Sequence, residues 1–266
     1  MRALFVRLAS ALLLLPAFVV AGGCDIAIGE LKAKETAEWR KTYELKPGQQ
    51  VAVENVNGRI SVEPSINNSV EVFAEKIARA ATQEGARDAL ARAEIREDVS
   101  PARIRIETKY TRAGGLFGDP AVEVRYTVKV PAATDVRLTT VNGGIELARL
   151  TGRITVETVN GGIVARDVGG TLDASTVNGG IDVDLAQVSE NGAKLGCTNG
   201  GIKLRLPADA KANIFASVVN GGIDAEGLTS IDTIEKSRRR FEGRLNGGGP
   251  RIQLDGTNGG IAILAR

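Results

Sequence analysis

The residues with the clearest capacity for chemistry are carboxylates in short, β-like stretches. Asp182 and Asp184 are separated by one residue in NGGIDVDL, so both side chains are expected on the same outward face of one strand. Glu146 and Asp224 hold the same place as Asp182 after their own NGGI phrases, while Glu157 belongs to another strand. Acids on such a face could cleave a uronate polymer by general acid and base catalysis. However, the residue after NGGI varies among Glu, Val, Asp, Lys and Ala, which is typical of a solvent-facing surface.

Other kinds of site find little support in the 266 residues. Histidine is absent, which removes imidazole bases and histidine ligands for a metal. The stretch 179–184 approaches a nine-residue calcium-binding repeat but lacks its third glycine. Gly247, Gly248 and Gly249 are followed by Pro250 and a strand, which is unlike a phosphate-binding loop. We therefore predict no catalytic residues, no metal and no cofactor, so the chain is expected not to be an enzyme.

The N-terminus has the pattern of an export signal. Arg2 and Arg7 accompany an apolar run over 8–21, too short for a comfortable transmembrane helix. The following VAGGC resembles a bacterial lipobox, which makes Cys24 the expected site of lipidation, although it has Ala21 where the pattern prefers Leu. Ordinary signal cleavage without a lipid is the alternative. Asp25 favours retention at the inner membrane, facing the periplasm, in some bacteria with two membranes.

The net charge gives no support for a nucleic-acid partner, and the second cysteine gives none for thiol chemistry. The formal net charge is +2, and removal of residues 1–23 takes away two arginines and no acid, leaving a neutral chain. The basic run KSRRR at 236–240 is interpreted as a solvated insertion, with an anionic envelope polymer or lipid surface as the alternative partner. Cys197 is predicted to be a small buried residue, because no histidine is available to activate it.

A repeated phrase marks the strands and turns on which these residues lie. TVNGGI occurs at 140–145, 158–163 and 176–181, and CTNGGI, VVNGGI and GTNGGI follow. Each phrase lies between two short alternating strands, which predicts one tight corner per repeat. The predicted corner residues, including an earlier Asn-Gly pair, are Asn57, Gly58, Asn142, Gly143, Gly144, Asn160, Gly161, Gly162, Asn178, Gly179, Gly180, Asn199, Gly200, Gly201, Asn220, Gly221, Gly222, Asn258, Gly259 and Gly260.

Each letter of the phrase has a structural interpretation. Asn and Gly are expected to adopt positive φ, and the second Gly is expected to allow close approach of the next coil. The Val before and the Ile after are expected in the core, and stacked asparagines are expected to share hydrogen bonds along the axis. Thr140, Thr158 and Thr176 are expected to form a surface column.

The pattern predicts an all-β protein made mainly of a β-solenoid with coils of 18–21 residues. We divide the chain into a lipoprotein-type signal at 1–23, a tether at 24–37, a β-rich region at 38–131 and solenoid repeats at 132–266. The β-rich region contains one short helix near 82–97, where Ala86, Ala89, Leu90 and Ala93 share a face.

VENVNGRISVEP, the tandem TVNGGI phrases and the closing GGGPRIQLDGTNGGIAIL together resemble the bacterial putative-adhesin domain of unknown function, over roughly 38–266. The resemblance implies a β-solenoid exposed at the cell envelope and supplies no catalytic residues. We therefore expect an exported, lipid-anchored and non-enzymatic protein that contacts an envelope protein or a surface polymer. A polysaccharide-active solenoid enzyme and a purely structural envelope module are the alternatives.

Overall fold

The structure is a computed structural model that describes residues 33–111, 122–228 and 230–266, all within one unit spanning Leu31–Arg266. Alternation of apolar and polar residues produces strands that form two long sheets. Sheet A contains, in spatial order, β1 (Ala33–Glu44), β4 (Ser69–Ala80), β7 (Val122–Val130), β3 (Ile60–Pro64), β9 (Ile145–Ala148), β11 (Ile163–Val168), β13 (Ile181–Leu185), β15 (Ile202–Leu206), β21 (Ile261–Ala265) and β17 (Ile223–Glu226).

Sheet B runs alongside, and its strands hold the residues that precede each corner. It contains, in spatial order, β18 (Ile231–Lys236), β19 (Arg240–Leu245), β16 (Ala212–Asn220), β20 (Arg251–Asn258), β14 (Ala193–Asn199), β12 (Leu172–Asn178), β10 (Ile154–Asn160), β8 (Val136–Asn142), β2 (Gln50–Glu54), β6 (Arg103–Tyr110) and β5 (Ala93–Val99). The single helix described, α1, spans Gln83–Arg92.

Successive coils stack in parallel, which confirms the predicted β-solenoid. In β10, Ile154 pairs with Leu172 of β12 on one side and with Val136 of β8 on the other. In β11, Ile163 pairs with Ile181 of β13 and with Ile145 of β9. Each coil is too short to bury an apolar face alone, so the stacked coils share one continuous core of Ile, Val, Leu and Ala.

The spatial order of the coils differs from their order in the chain at both ends. The coil formed by β20 and β21 lies between the coil of β14 and β15 and the coil of β16 and β17. The 21 residues from Asn199 to Asn220 fit the predicted coil length, but these two asparagines do not lie in neighbouring coils. At the other end, β2 and β3 pair in parallel with β8 and β9, so a coil precedes the predicted solenoid start at residue 132.

Antiparallel strands and the helix cover the ends. β1 pairs with β4 along all twelve residues, so 33–37 is strand and not the predicted tether. Thr82 caps α1 by accepting a hydrogen bond from the Gly85 amide at 3.1 Å. The helix ends at Arg92, and β5 occupies most of the remainder of the predicted helical range 82–97.

The predicted signal and Cys24 lie outside the described residues. Within the described ranges, no helix has the length and apolar character that a membrane crossing requires.

Candidate functional site

The corners align into one hydrogen-bonded column of asparagines, here called the asparagine ladder. In spatial order it contains Asn57, Asn142, Asn160, Asn178, Asn199, Asn258 and Asn220. From Asn142 onward, each side-chain amide donates to the side-chain oxygen of the preceding asparagine in this order, at 2.8–2.9 Å. Seven asparagines at a coil spacing of about 4.8 Å extend along about 29 Å of the solenoid axis.

The first glycine of each phrase is the position at which adjacent coils come closest. A Cβ atom at Gly161 would collide with the carbonyl oxygen of Gly143, whereas one at Gly162 would lie 3.3 Å from the Gly180 oxygen. The expectation that the second glycine provides the close approach is therefore wrong. Among the described residues, no ladder asparagine has positive φ, and φ is positive at the first glycines Gly58, Gly179, Gly200 and Gly259.

The threonines of the phrase face the interior, which corrects the predicted surface column. Thr140, Thr158 and Thr176 are all buried. Their hydroxyls donate to the carbonyl oxygens of first glycines in the preceding coil, and the distance from Thr158 to Gly143 is 2.9 Å. A buried hydroxyl is tolerated here because this carbonyl lies within its reach.

The valines before the ladder asparagines face outward, which corrects their predicted place in the core. Val141, Val159, Val177 and Val219 are 38%, 39%, 41% and 58% exposed. Thr198 and Thr257 precede the ladder asparagine in the two other coils that contain an NGGI phrase, and both threonines are exposed. We call this column of six residues, together with the asparagine ladder, the ladder face.

Asp182, a candidate catalytic carboxylate, is held by two arginines on the outer face of sheet A. Asp182 accepts two hydrogen bonds from Arg166, at 2.8 and 2.9 Å, and one from Arg205 at 2.7 Å. The hydrogen bond from Arg166 is the main cause that lowers the pKa of Asp182 to about 2, with Arg205 contributing in the same direction. Asp182 is therefore ionised at neutral pH and poorly suited to act as a general acid.

The remaining acids do not converge on a common point. Glu146 pairs with Arg59 at 3.2 Å in sheet A, and Glu157 pairs with Arg137 at 2.9 Å in sheet B. Asp224 shares the register column of Asp182, but the strands of Lys203 and Ala262 lie between them. Within the described ranges, no group of three or more His, Cys, Asp and Glu side chains could hold a metal ion.

Cys197 takes the place of the interior threonine in its coil. It is buried, and its Sγ donates to the Gly179 carbonyl at 3.1 Å. Burial raises the pKa of the Cys197 thiol, which keeps it protonated at neutral pH.

Two structural roles were missed by sequence reasoning. Asn55 precedes the first corner, is buried, and donates to the carbonyl oxygens of Asn57, Gly58 and Val124.

The second role is that of the basic run, which forms the turn between β18 and β19. The carbonyl oxygens of Arg239 and Arg238 accept hydrogen bonds from the backbone amides of Val218 and Ile223, respectively. The turn thus caps the corner of the terminal coil with its backbone, while its side chains are exposed. No sequence pattern marks these contacts.

Structures similar to this fold include three crystal structures. A putative cell adhesion protein from Clostridium sporogenes is 12% identical, covers 87% of this chain and 100% of its own, and has a TM-score of 0.47. A putative adhesin from Bacteroides fragilis is 9% identical, with coverages of 86% and 97% and a TM-score of 0.30. A putative lipid binding protein from Parabacteroides distasonis is 12% identical, with coverages of 88% and 97% and a TM-score of 0.32. Sequence identities and TM-scores this low say nothing about function, which must be inferred from the residues of this chain.

The search of curated proteins finds no match. The family model described as toastrack DUF4097 matches residues 41–264, which include every coil and the whole asparagine ladder. The chain therefore belongs to the toastrack DUF4097 family.

Proposed function

We propose that this protein is a non-enzymatic binding protein of the cell envelope and that the ladder face is its contact surface. It is exported, anchored through lipid on Cys24, and held at the inner membrane facing the periplasm. Its partner is an envelope protein or a surface polymer. The observation that carries the proposal is the column of exposed valines beside a continuous asparagine ladder.

The valine column supports a binding role because apolar side chains are concentrated along one line of the surface. Isolated exposed apolar residues are normal, whereas contiguous ones mark contact sites. Val141, Val159 and Val177 lie on three consecutive strands, about 4.8 Å apart. They lie next to asparagine side chains, so a partner could combine apolar contact with hydrogen bonds.

Rigidity supports the same role. The ladder face is fixed by parallel strand pairing beneath it and by side-chain hydrogen bonds between asparagines. A surface that is already ordered loses little conformational entropy when a partner binds. Asp182, the candidate acid with the most contacts, is paired with Arg166 and Arg205, which disfavours a catalytic role.

The test is site-specific photo-crosslinking in cells, followed by purification and mass spectrometry. A crosslinking amino acid is placed at Val159, on the ladder face, and at Ser175 as the control, which is exposed elsewhere on sheet B. We expect a specific partner from Val159 and not from Ser175. Equal capture at the two positions, or none, would count against the ladder face.

The anchor is tested separately with Cys24→Ala in the same experiment. If the tether places the protein beside its partner, this variant should lose the adduct at Val159 while the purified chain keeps its melting temperature. An adduct of the same yield from the variant would argue against the proposed anchor and leave the ladder face supported.

A further inference from the structure

The strand β1 presents a long open edge. It lies at the end of sheet A and pairs with β4 along all twelve residues from Ala33 to Glu44. No other described strand pairs with its second edge. In an antiparallel strand, alternate residues turn their N–H and C=O groups to each side, so this edge exposes unpaired groups along about 40 Å. Such an edge is a template for another strand.

The other three sheet edges among the described residues are shorter. β17, β18 and β5 have four, six and seven residues. β17 is also partly capped, because the Ile223 amide donates to the Arg238 carbonyl at 3.1 Å. Among the described strands, β1 therefore offers the longest open edge to another strand.

We propose that β1 pairs antiparallel with β1 of a second copy of this chain, centred on Trp39, so that sheet A continues across a twofold dimer. The proposal is independent of the proposed function, since the ladder face lies at the corners of the coils and β1 lies at the end of the stack.

The charges of β1 are self-complementary in this register. Its outward face carries Lys34, Thr36, Glu38, Arg40, Thr42 and Glu44, all of them exposed. Centring the pair on Trp39 places Lys34 opposite Glu44, Thr36 opposite Thr42, and Glu38 opposite Arg40. Twofold symmetry produces each of these pairs twice. Opposite charges and paired threonines facing each other across an antiparallel pair are stabilising.

Neighbouring registers lack this match. Moving the centre by one residue places Glu38 opposite Glu38 or Arg40 opposite Arg40. Moving it by two residues places Lys34 opposite Arg40 or Glu38 opposite Glu44. Like charges directly opposite each other are destabilising, so the charge pattern selects the register centred on Trp39.

The outward charged groups of β1 make only exposed contacts with their own chain. Arg40 lies over the Phe73 ring of β4 at 4.6 Å and donates to Glu38 of its own strand at 3.0 Å, and the side chains of Arg40 and Glu38 are 71% and 60% exposed. An ion pair this exposed contributes little stability, so a partner strand can replace it. Lys34 and Glu44 have no ion-pair partner among the described residues.

The inward face of β1 is already occupied, which leaves the edge as the route of approach. Tyr43 is buried and donates to Glu97 at 2.7 Å, and Glu35 pairs with Arg87 of α1 at 3.1 Å. Trp39 packs against the core from this face. A second copy therefore extends the sheet and does not cover it.

The register is tested by disulfide formation between two variants of the full chain, each of which adds one surface cysteine to the native Cys24 and Cys197. Thr36→Cys and Thr42→Cys are both surface changes. In the proposed dimer these positions face each other at a Cα separation of about 5 Å, which a disulfide can bridge. Each position is about 20 Å from its own copy, because six residues separate the two along the strands. A mixture of the two variants should give a disulfide-linked dimer, and each variant alone should give no more than the unmodified chain.

The charge pattern is tested by sedimentation velocity on the same chain. Glu38→Arg should weaken association about tenfold, since two attractive pairs become repulsive. Glu38→Arg combined with Arg40→Glu restores opposite charges in the same register and should recover association. A native chain that stays monomeric at its highest soluble concentration overturns the proposal. So does the absence of the mixed disulfide, or a dimer that Glu38→Arg leaves unchanged.

Discussion

The hydroxyl of Thr158 donates to the carbonyl oxygen of Gly143 at 2.9 Å, joining the interior of one coil to the corner of the coil before it. The same carbonyl faces the Cα of Gly161, where no side chain fits. Two residues of the repeated phrase therefore depend on one backbone oxygen: the threonine donates a hydrogen bond to it, and the first glycine leaves space for it. This contact explains why the phrase recurs as a unit, and it leads to predictions that can be measured on the purified protein.

Replacing the first glycine of a phrase should destabilise the fold. In Gly161→Ala the new Cβ collides with the Gly143 carbonyl, and we expect unfolding to become easier by about 1–3 kcal/mol because the backbone of two coils must shift. The matched control is Gly222→Ala, whose Cβ would have no neighbour within 4 Å and which should change stability by about 0.5 kcal/mol or less. Urea unfolding followed by circular dichroism measures both, and equal losses would refute the collision.

Removing the interior hydroxyl should also cost stability. Thr158→Val keeps the shape of the side chain but leaves the Gly143 carbonyl without this donor, which should cost about 1 kcal/mol. Thr155→Val, on the outer face of the same strand, is the control and should cost about 0.5 kcal/mol or less. If the two variants melt at the same temperature, the hydrogen bond contributes nothing.

Two valines of one strand should respond differently to truncation. Val156 is fully buried, so Val156→Ala should cost about 2 kcal/mol through lost burial and the cavity left behind. Val159 is 39% exposed, and Val159→Ala should cost less than half as much. Chemical denaturation compares the two. A larger loss at Val159 would place that valine in the core and contradict the ladder face.

Asp182 should make stability depend on pH in the acidic range. Its pKa is about 2 in the folded protein against 3.8 for an ordinary aspartate, so the folded state binds its proton less readily than the unfolded state does. Its contribution is therefore fully present above pH 3.8 and is lost as the pH falls towards 2. Melting temperatures from pH 5 to pH 2 should fall more steeply for the native chain than for Asp182→Asn.

The control for the pH profile is Asp173→Asn, which removes an exposed carboxylate that has no ion-pair partner among the described residues. This variant should keep the steep profile of the native chain. Parallel profiles for the native chain and Asp182→Asn would mean that the contacts with Arg166 and Arg205 do not stabilise the fold.

The repeat pattern is sufficient to predict the β-solenoid, the corners at each NGG phrase and the hydrogen bonds between stacked asparagines. Strands too short to bury a face alone, repeated at a nearly constant interval, can form a core only by stacking. The isoleucine at the end of each phrase lies in the core as predicted, because burial of a large aliphatic side chain is strongly favoured.

Contacts between coils determine which of two similar residues faces inward at the corner. Alternation shows that the threonine and the valine before each asparagine lie on opposite faces, but both are β-branched and alike in size. The threonine faces inward because a glycine carbonyl of the neighbouring coil accepts its hydroxyl, and that carbonyl belongs to a residue 15 positions away for Thr158.

The order of the coils was likewise decided by tertiary structure. The hairpin of β18 and β19 pairs with β16 in sheet B. The chain then returns, and β20 and β21 lie between two coils whose residues come earlier in the sequence. Every coil has the same corner and nearly the same strands, so pairing partners cannot be read from spacing along the chain. Which edges meet depends on the strands that cap the stack, and these carry no repeat.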